Sequence, residues 1–410
     1  MTSPSPVPAL LNEALIVRAL CEAHKTIAEC IKIKACDFTI SSVNGENFCS
    51  DIYDVDVKYV INGIAMQKCF IVKIMIPEIA EIGTNEQVMF TTVLPIMENY
   101  LNAVEGRERE KLFAKCFLTE RQGNNEFYIL ENLNTLGYIC GDRIKGLDEA
   151  HGHLVMQKIA KYHAASIIYQ MKFPQVVESL EKSHFAKGAS DVVAEAIAFG
   201  GFEYVANMIE NWPNYEHLTP RIRNIKNKFN DLVKDVVDPK YSTLKVITHG
   251  DLWVNNMLFK YDEVTKKPTD VAFVDFQNTF WGSCGFDLNY FLYTSLELPI
   301  LKEKKDDLLK TYYDALIETL LENKYDIDYL PSMGHILWEV KRCELIALYV
   351  SLCELPIIAL DKTTSKKFTL KTFESPEEMS KMRAPMYANQ RVKDHLLYTL
   401  KCFEESGIFK

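Results

Sequence analysis

The sequence predicts an α+β protein of two lobes, a smaller one built on an antiparallel sheet and a larger, mostly helical one. Three observations support this prediction. The chain has 410 residues, more than one typical domain contains. Its first third has strand-like apolar runs joined by hairpin turns, whereas most of the remainder has apolar residues at helical spacing. We therefore expect an N-terminal lobe at residues 1–132 and a C-terminal lobe at residues 133–410.

The N-terminal lobe begins with a predicted helix and continues as a sheet. Apolar residues recur at helical spacing over residues 9–33, which predicts an amphipathic helix. Strand-like runs follow at residues 37–43 and 52–61. Asn62-Gly63 then separates the second run from another apolar run, and this dipeptide between such runs is the strongest short signal of a β-hairpin. The sheet is therefore predicted to be antiparallel.

One lysine stands alone in an apolar part of this sheet. Lys73 is the only charged residue between residues 70 and 76. The segment 81–100 is a predicted helix and offers Glu86 near its start as an acidic partner, with Glu81 as a rival. Two simpler interpretations stay open, namely a lysine at a sheet edge that extends into solvent and a solvated glutamate in a first helical turn.

The rest of the chain is predicted to contain one more hairpin and several long helices. The runs 112–118 and 127–130 flank a polar turn and predict two strands. Asp148 is a candidate N-cap of a long helix. Helices are predicted at residues 147–169, 191–212, 221–237 and, with interruptions, 296–409.

The segment 246–277 carries the residues with the clearest chemical meaning. Two β-branched runs, 244–248 and 271–274, are predicted to be adjacent strands that each deliver a carboxylate near the end, Asp251 and Asp275. Asn256 lies between them. In phosphoryl transfer, one carboxylate accepts the proton of the attacking hydroxyl, while an amide oxygen and a second carboxylate hold magnesium. An ordinary turn with a capping aspartate is the alternative, but this spaced set rarely recurs by accident.

The sequence of this segment resembles that of a known family. His249-Gly250-Asp251 with Asn256, followed by Val-Asp-Phe-Gln around Asp275, resembles the catalytic segment of the aminoglycoside/choline-kinase-type phosphotransferases. The run His-Gly-Asp-Leu-Trp-Val-Asn-Asn-Met is most similar to their ecdysteroid-kinase-like (CHK kinase-like) branch in insects. The resemblance implies a bilobal protein-kinase-like fold and transfer of the ATP γ-phosphoryl group to an alcohol.

The resemblance also implies roles for single residues. Asp251 would accept or orient the proton of the hydroxyl, and Asn256 with Asp275 would bind Mg²⁺. Lys73, held by Glu86, would contact the phosphates of ATP.

The predictions of a phosphate loop and of a hinge between the lobes depend on less specific sequence patterns. The segment 41–50 would be the phosphate loop, with Asn44 and Gly45 as candidate contacts, but it has one glycine and no Gly-x-Gly-x-x-Gly. A plain hairpin loop explains it equally well. In the family, backbone groups at positions matching Glu131 to Leu133 hold adenine, so we expect the lobe boundary near Leu133.

Three further polar residues are predicted to support the site. His249 would orient the catalytic loop by hydrogen bonds, and Asp287 matches a family residue that braces the same segment, although direct chemistry by Asp287 stays open. His163 lies among apolar residues and is predicted to be a hydrogen-bonded core histidine.

Charge and cysteine content restrict the partners and the compartment. A net charge of −10 argues against binding to nucleic acid and to anionic membranes. The 11 cysteines are scattered and form no Cys-x-x-Cys, which is typical of a reducing compartment. We find neither a signal-peptide pattern nor an apolar run long enough for a membrane span. We therefore expect a cytoplasmic protein without membrane insertion or an obligate protein partner.

The acceptor is predicted to be a small molecule. No Ala-Pro-Glu follows Asp-Phe-Gln, and a short Gly/aromatic segment stands where a protein kinase has its activation loop. The resemblance implies an ecdysteroid or a similarly apolar hydroxylated compound. Choline or an aminoglycoside is the second alternative, since the C-terminal lobe is rich in acids and aromatic residues. A catalytically silent pseudokinase that binds a hydrophobic ligand is the third, suggested by the poor phosphate loop.

Overall fold

The computed structural model has the predicted α+β, bilobal architecture. It describes residues 11–40, 50–76, 84–104, 109–122, 125–187, 195–368, 372–373 and 375–410. The sheet comes first along the chain and most helices follow it.

The first lobe is a five-stranded sheet with a helix on each face. Its strands are β1 Ile31–Ile40, β2 Ser50–Ile61, β3 Ile64–Met75, β4 Cys116–Gln122 and β5 Asn125–Glu131. They pair antiparallel in the order β1-β2-β3-β5-β4. Helix α1, Glu13–His24, packs on one face, and α2, residues 86–102 with a π-helical turn at Met89–Val93, packs on the other.

The hairpin predicted at Asn62-Gly63 is confirmed. Both residues have positive φ, 51° and 83°, and they join β2 to β3 directly after the pair Ile61–Ile64. Two consecutive positive φ angles match the right-handed twist of the flanking strands.

The helix predicted over residues 9–33 is too long. Helix α1 ends at His24 because Lys25 takes a left-handed conformation, with φ at 52°. Ile27 is exposed and Ile31 already begins β1. The apolar residues of this stretch match helical and strand spacing equally over a short distance, so periodicity alone could not locate the boundary.

Alternation along β3 positions Lys73. Phe70 and Val72 point toward α1 and belong to the smaller core of the lobe. Lys73 occupies the opposite face, together with Ile71 and Met75, which pack against the larger core. The side chain of Lys73 is therefore directed toward α2 and the second lobe.

The second lobe contains two small sheets among many helices. Its strands are β6 Tyr138–Cys140, β7 Lys245–Ile247, β8 Met257–Tyr261, β9 Pro268–Phe273 and β10 Trp281–Ser283. Its helices are α3 Glu149–Lys172, α4 Pro174–Glu178, α5 residues 195–209, α6 Thr219–Val237, α7 Cys284–Ser295, α8 Leu298–Glu322, α9 Met333–Arg342, α10 residues 344–358, α11 Lys362–Ser365, α12 Pro376–Ala388 and α13 Gln390–Ser406. Among the described residues, no helix is both long and apolar enough to cross a membrane.

The two strands predicted around the catalytic segment do not pair with each other. Strand β7 pairs with β10, whereas β9 pairs with β8, which also pairs with β6. The prediction of adjacent strands is wrong because the 3₁₀ turn Val254–Asn256 reverses the chain and starts β8 between them. A bond from the amide of Val274 to the carbonyl oxygen of Asn256, 3.1 Å long, still joins the end of β9 to the catalytic loop.

Candidate active site

Lys73 is the centre of a buried charge cluster. It lies on β3 with 4% of its surface exposed, and Glu86 begins α2 with no exposed surface. The Nζ atom of Lys73 donates to both carboxylate oxygens of Glu86, at 2.8 and 2.7 Å, and to Oδ1 of Asp275 at 2.9 Å. Neither residue therefore lies in solvent, and both simpler interpretations of these two residues are wrong. The rival Glu81 lies outside the described residues.

The electrostatics of the cluster favour a charged lysine. Burial by itself lowers the pKa of Lys73, but the carboxylates of Asp275 and Glu86 outweigh it and hold the pKa above its usual range. Burial raises the pKa of Glu86, against the attraction of the Lys73 ammonium. The cluster thus presents one ammonium group to two carboxyl groups.

Asp251 and Asn256 lie in the loop between β7 and β8. The Nδ2 atom of Asn256 donates to the backbone oxygen of Asp251 at 2.8 Å and to its Oδ2 at 2.9 Å. The other carboxylate oxygen, Oδ1, accepts from the hydroxyl of Tyr290 at 2.9 Å. Burial, with the nearby carboxylates of Asp275 and Glu354, raises the pKa of Asp251 to about 7.

The chemistry of these donors fits a magnesium ion. Asp275 offers carboxylate oxygens, and Asn256 offers its amide oxygen because its nitrogen is committed to Asp251. Oxygen-only ligands, with carboxylates outnumbering cations, are the environment that Mg²⁺ prefers in proteins. Asn256 and Asp275 are therefore the residues that could hold the ion.

The loop that carries Asp251 is braced by Asp287, near the start of α7. Its buried carboxylate accepts from the amides of His249 at 2.6 Å and Gly250 at 2.9 Å. It also contacts Nε2 of His163 at 3.0 Å, and Nδ1 of His163 meets the hydroxyl of Tyr312 at 2.8 Å. These contacts match the predicted brace and confirm the predicted core histidine.

His249 connects the loop that carries Asp251 to the end of β9, next to Asp275. Its Nε2 lies 3.1 Å from the carbonyl oxygen of Val274, next to Asp275. Burial lowers the pKa of His249, which favours the neutral imidazole. A neutral ring with one nitrogen on a backbone carbonyl is suited to orienting the loop. Asp275 itself has a φ of 65°, a left-handed conformation that aspartate tolerates better than most residues.

The predicted hinge residues lie where β5 ends. The carboxylate of Glu131 accepts from Nζ of Lys111 at 2.5 Å and from the amide of Lys115 at 3.2 Å. Leu133 is buried and begins the 3₁₀ turn Leu133–Leu136. Contacts of these residues with adenine stay a prediction.

The predicted phosphate loop has no structural description. Asn44 and Gly45 lie outside the described residues. Their contacts with phosphate therefore stay a prediction as well.

A small cavity opens beside Asp251. It has a volume of about 170 Å³ and an apolar wall of six side chains, Ile197, Trp253, Ile357, Ile358, Leu360 and Phe373. Its polar lining comprises Asp251, Tyr290, Glu354, Arg143 and Ser365.

Sequence reasoning missed most of these cavity residues. Tyr290 lies three residues after Asp287 on α7, so helical spacing from that brace could have indicated it. Glu354 has no such signal, because it is far from Asp251 along the chain.

A comparison with protein-family models identifies the family of the chain. The model of the ecdysteroid kinase-like family matches residues 44–325, more than half of the chain. No curated protein matches the chain.

Three of the solved structures that match the chain have the names of small-molecule kinases or phosphotransferases. A protein assigned as a fructosamine-3-kinase, from Haemophilus somnus 129PT, has 12% identity, with 81% of this chain and 96% of that one covered and a TM-score of 0.32. The GDP complex of wild-type aminoglycoside 2'-phosphotransferase-IIIa has 10% identity, with 93% and 99% covered and a TM-score of 0.38. A mutant of that enzyme, also with GDP, has 11% identity, with 92% and 100% covered and a TM-score of 0.39. From the match to the family model, the chain belongs to the ecdysteroid kinase-like family and is a small-molecule phosphotransferase.

Proposed function

We propose that the protein is an ATP- and Mg²⁺-dependent kinase that phosphorylates an alcohol hydroxyl of an ecdysteroid or a similarly apolar compound. One observation carries the proposal. The buried Lys73, bound to Glu86, reaches Asp275, while Asp251 and Asn256 are bonded to each other next to an apolar cavity. This arrangement supports a site in which the nucleotide phosphates bind beside Lys73 and the acceptor binds beside Asp251.

The proposed reaction uses these residues for positioning and for charge stabilisation. The acceptor hydroxyl gives its proton to Asp251 as its oxygen forms a bond to the γ-phosphorus, and the bond from that phosphorus to the bridging oxygen breaks to release ADP. Lys73, held by Glu86, binds phosphate oxygens and stabilises their charge. Asn256 and Asp275 would hold Mg²⁺, which neutralises phosphate charge when bound.

The cavity beside Asp251 supports an apolar acceptor over a cationic one. Most of its wall is aliphatic, with Trp253 and Phe373 as the aromatic members. The guanidinium of Arg143 lies at the same cavity, where it donates to the carbonyl oxygens of Ile358 and Leu360 at 2.5 and 2.6 Å. This positive charge opposes the acids Asp251 and Glu354 in the lining, and it therefore weakens the attraction of the cavity for a cation such as choline or an aminoglycoside.

The rival proposal is a pseudokinase that only binds a hydrophobic ligand. The bonds of Lys73 to Asp275 and of Asn256 to Asp251 argue against it, since a binding module needs none of these residues. In our proposal, residues 1–132 bind the nucleotide and residues 133–410 carry the catalytic loop and the acceptor cavity. Asn44, Gly45, Glu131 and Leu133 are proposed nucleotide contacts. The scattered cysteines, without a Cys-x-x-Cys motif, support a cytoplasmic location.

Acceptor-dependent ADP formation tests the proposal. Wild type and Asp251→Asn would be assayed with ATP and Mg²⁺ against ecdysteroids, other hydroxylated apolar compounds and choline. We expect turnover stimulated by an apolar alcohol, with a decrease of about 10²- to 10⁴-fold in Asp251→Asn because a positioned base is lost. Both proteins should gain thermal stability with ATP and Mg²⁺. Stimulation by choline alone would favour the cationic class, and neither turnover nor stabilisation would favour the pseudokinase.

A further inference from the structure

Asn85 lies at the start of α2, one residue before Glu86, and its side chain does not cap the helix. An asparagine at this position normally accepts a hydrogen bond from an amide of the first helical turn. The side chain of Asn85 makes no such bond, although it is 4% exposed. Since buried amide groups are almost always hydrogen-bonded, its partners must lie elsewhere in the molecule.

The partners of this side chain lie in the second lobe. Its Nδ2 donates to the carbonyl oxygen of Thr279 at 2.7 Å and to that of Glu181 at 2.9 Å, and its Oδ1 accepts from the amide of Glu181 at 2.8 Å. Glu181 comes shortly after α4, and Thr279 comes four residues after Asp275. Three bonds to backbone atoms therefore join the start of α2 to two segments of the other lobe.

A ring contact follows on the other side of Glu86. Phe90, in the π-helical turn of α2, meets Phe276 edge to face, with ring centroids 5.8 Å apart and an angle of 82° between the rings. Phe276 directly follows Asp275. The part of α2 that carries Glu86 is thus held on both sides by the segment after Asp275.

We propose that Asn85 is a positioning residue, which holds the start of α2 on the second lobe and thereby keeps Glu86 against Lys73. Glu86 has no exposed surface, and its carboxylate oxygens are 2.7 and 2.8 Å from Nζ of Lys73. A displacement of this turn by about 1 Å would weaken both bonds. The effect on ATP rests on the proposed function, in which Lys73 binds the phosphates.

Nucleotide binding by two variants tests this role. Asn85→Ala removes the three bonds, and the helix loses no cap because Asn85 provides none. Asn85→Asp keeps the shape and a good N-cap residue but removes both donors. In each variant we expect the Kd for ATP with Mg²⁺ to rise about tenfold, in the range of two lost hydrogen bonds, and KM for the acceptor to stay unchanged.

Two binding results would overturn the inference. An unchanged Kd in Asn85→Ala would mean that Glu86 keeps its place without Asn85. A higher Kd in Asn85→Asp alone would mean that the added negative charge weakens nucleotide binding, and that the lost bonds do not.

Asn289→Asp is the matched control for general destabilisation. Asn289, on α7, is 2% exposed, and its Nδ2 also donates to two carbonyl oxygens, those of Gly285 at 2.8 Å and Val340 at 2.9 Å. Both of these partners lie within the second lobe. The control should therefore lower the free energy of unfolding as Asn85→Asp does but leave the Kd for ATP unchanged. An equal rise of Kd in both variants would contradict a specific role of Asn85.

Amide hydrogen exchange tests the contact without nucleotide or acceptor. In ligand-free Asn85→Ala, the amides of residues 84–93 and 276–280 should exchange about tenfold faster than in wild type, because local opening no longer breaks the bonds of Asn85. The amides of α8 should exchange as in wild type. Unchanged exchange at residues 84–93 would overturn the inference whatever the activity. If exchange there is faster but wild type neither binds ATP nor transfers phosphate, the proposed function fails while the contact of Asn85 with the second lobe stands.

Discussion

The ammonium group of Lys73 receives partners from two distant parts of the chain. Glu86 comes from the helix that follows the strand, and Asp275 comes from the second lobe. Because burial of a charge is unfavourable unless it is paired, the three side chains depend on one another. The cluster of Lys73, Glu86 and Asp275 is therefore also a stabilising contact between the lobes.

Lys73→Met should destabilise the protein by about 3–5 kcal/mol, because it leaves two carboxyl groups without their cation. It should also abolish stabilisation by ATP and Mg²⁺. Urea unfolding and thermal shift with nucleotide measure the two effects. Lys73→Met combined with Glu86→Gln should regain part of the lost stability, since fewer unpaired charges are buried. Equal stability of Lys73→Met and wild type would contradict the cluster as described.

At the scale of one element, the loop after β7 depends on a glycine with no space for a side chain. Gly250 has a φ of 80°, and a Cβ atom built on it would lie 2.0 Å from the backbone oxygen of Asn278. Its amide donates to Asp287, so the loop cannot shift without losing the brace. The sharp turn and the close approach are both required at this position.

Gly250→Ala should therefore be more damaging than the same substitution at Gly63, whose φ is nearly equal. Gly63, at 83°, has nothing within 4 Å of a built Cβ, so Gly63→Ala should cost about 1 kcal/mol from backbone conformation alone. Gly250→Ala should cost about 1–3 kcal/mol more through steric overlap and lower kcat about 100-fold through displacement of Asp251. Unfolding curves and ADP formation measure both. Similar values for the two variants would refute the steric argument.

At the scale of the whole molecule, a second buried lysine joins the segment before β4 to the helical lobe. Lys158, on α3, binds Glu110 at 2.6 Å and Asp270 of β9 at 2.7 Å. Next to it, the amide of Phe273 donates to the carbonyl oxygen of Leu112 at 3.0 Å. These contacts involve other residues than the cluster of Lys73, Glu86 and Asp275, so two separate sets of contacts join the lobes.

Lys158→Met should destabilise the whole protein by about 3–5 kcal/mol, because Lys158 is buried and both of its carboxylate partners would lose it. Lys161→Met is the matched control. Lys161 also pairs with Glu110, from one turn further along α3, but is more exposed. Its loss should have a clearly smaller effect in denaturant unfolding. An equal loss in both variants would mean that burial of Lys158 does not set its contribution.

Several parts of the site could be predicted from neighbouring residues. Lys73 was recognisable as the only charge in an apolar strand, and Asn62-Gly63 as a hairpin turn, because both signals lie within a few residues. The structure agrees with each of them. The roles of Glu131, Leu133, Asn44 and Gly45 stay predictions.

Other parts had no local signal. The end of α1 was missed because helical and strand spacing coincide over a short run. The pairing of β7 with β10 instead of β9 was missed because strand order depends on packing between distant segments. Glu354 was missed because its approach to Asp251 depends on how α10 packs against α7.

By itself, the sequence indicated the family and the antiparallel first lobe, and it identified Asp251, Asn256 and Asp275 as candidate site residues. These features depend on turn residues and on motif spacing, which are local properties of the sequence. Only the tertiary structure decided that Asp275 shares Lys73 with Glu86 and that an apolar cavity lies beside Asp251. Those features join residues from distant parts of the chain. They form only when the burial of apolar surface brings the elements together. No pattern of neighbouring residues in the sequence indicates which elements will meet.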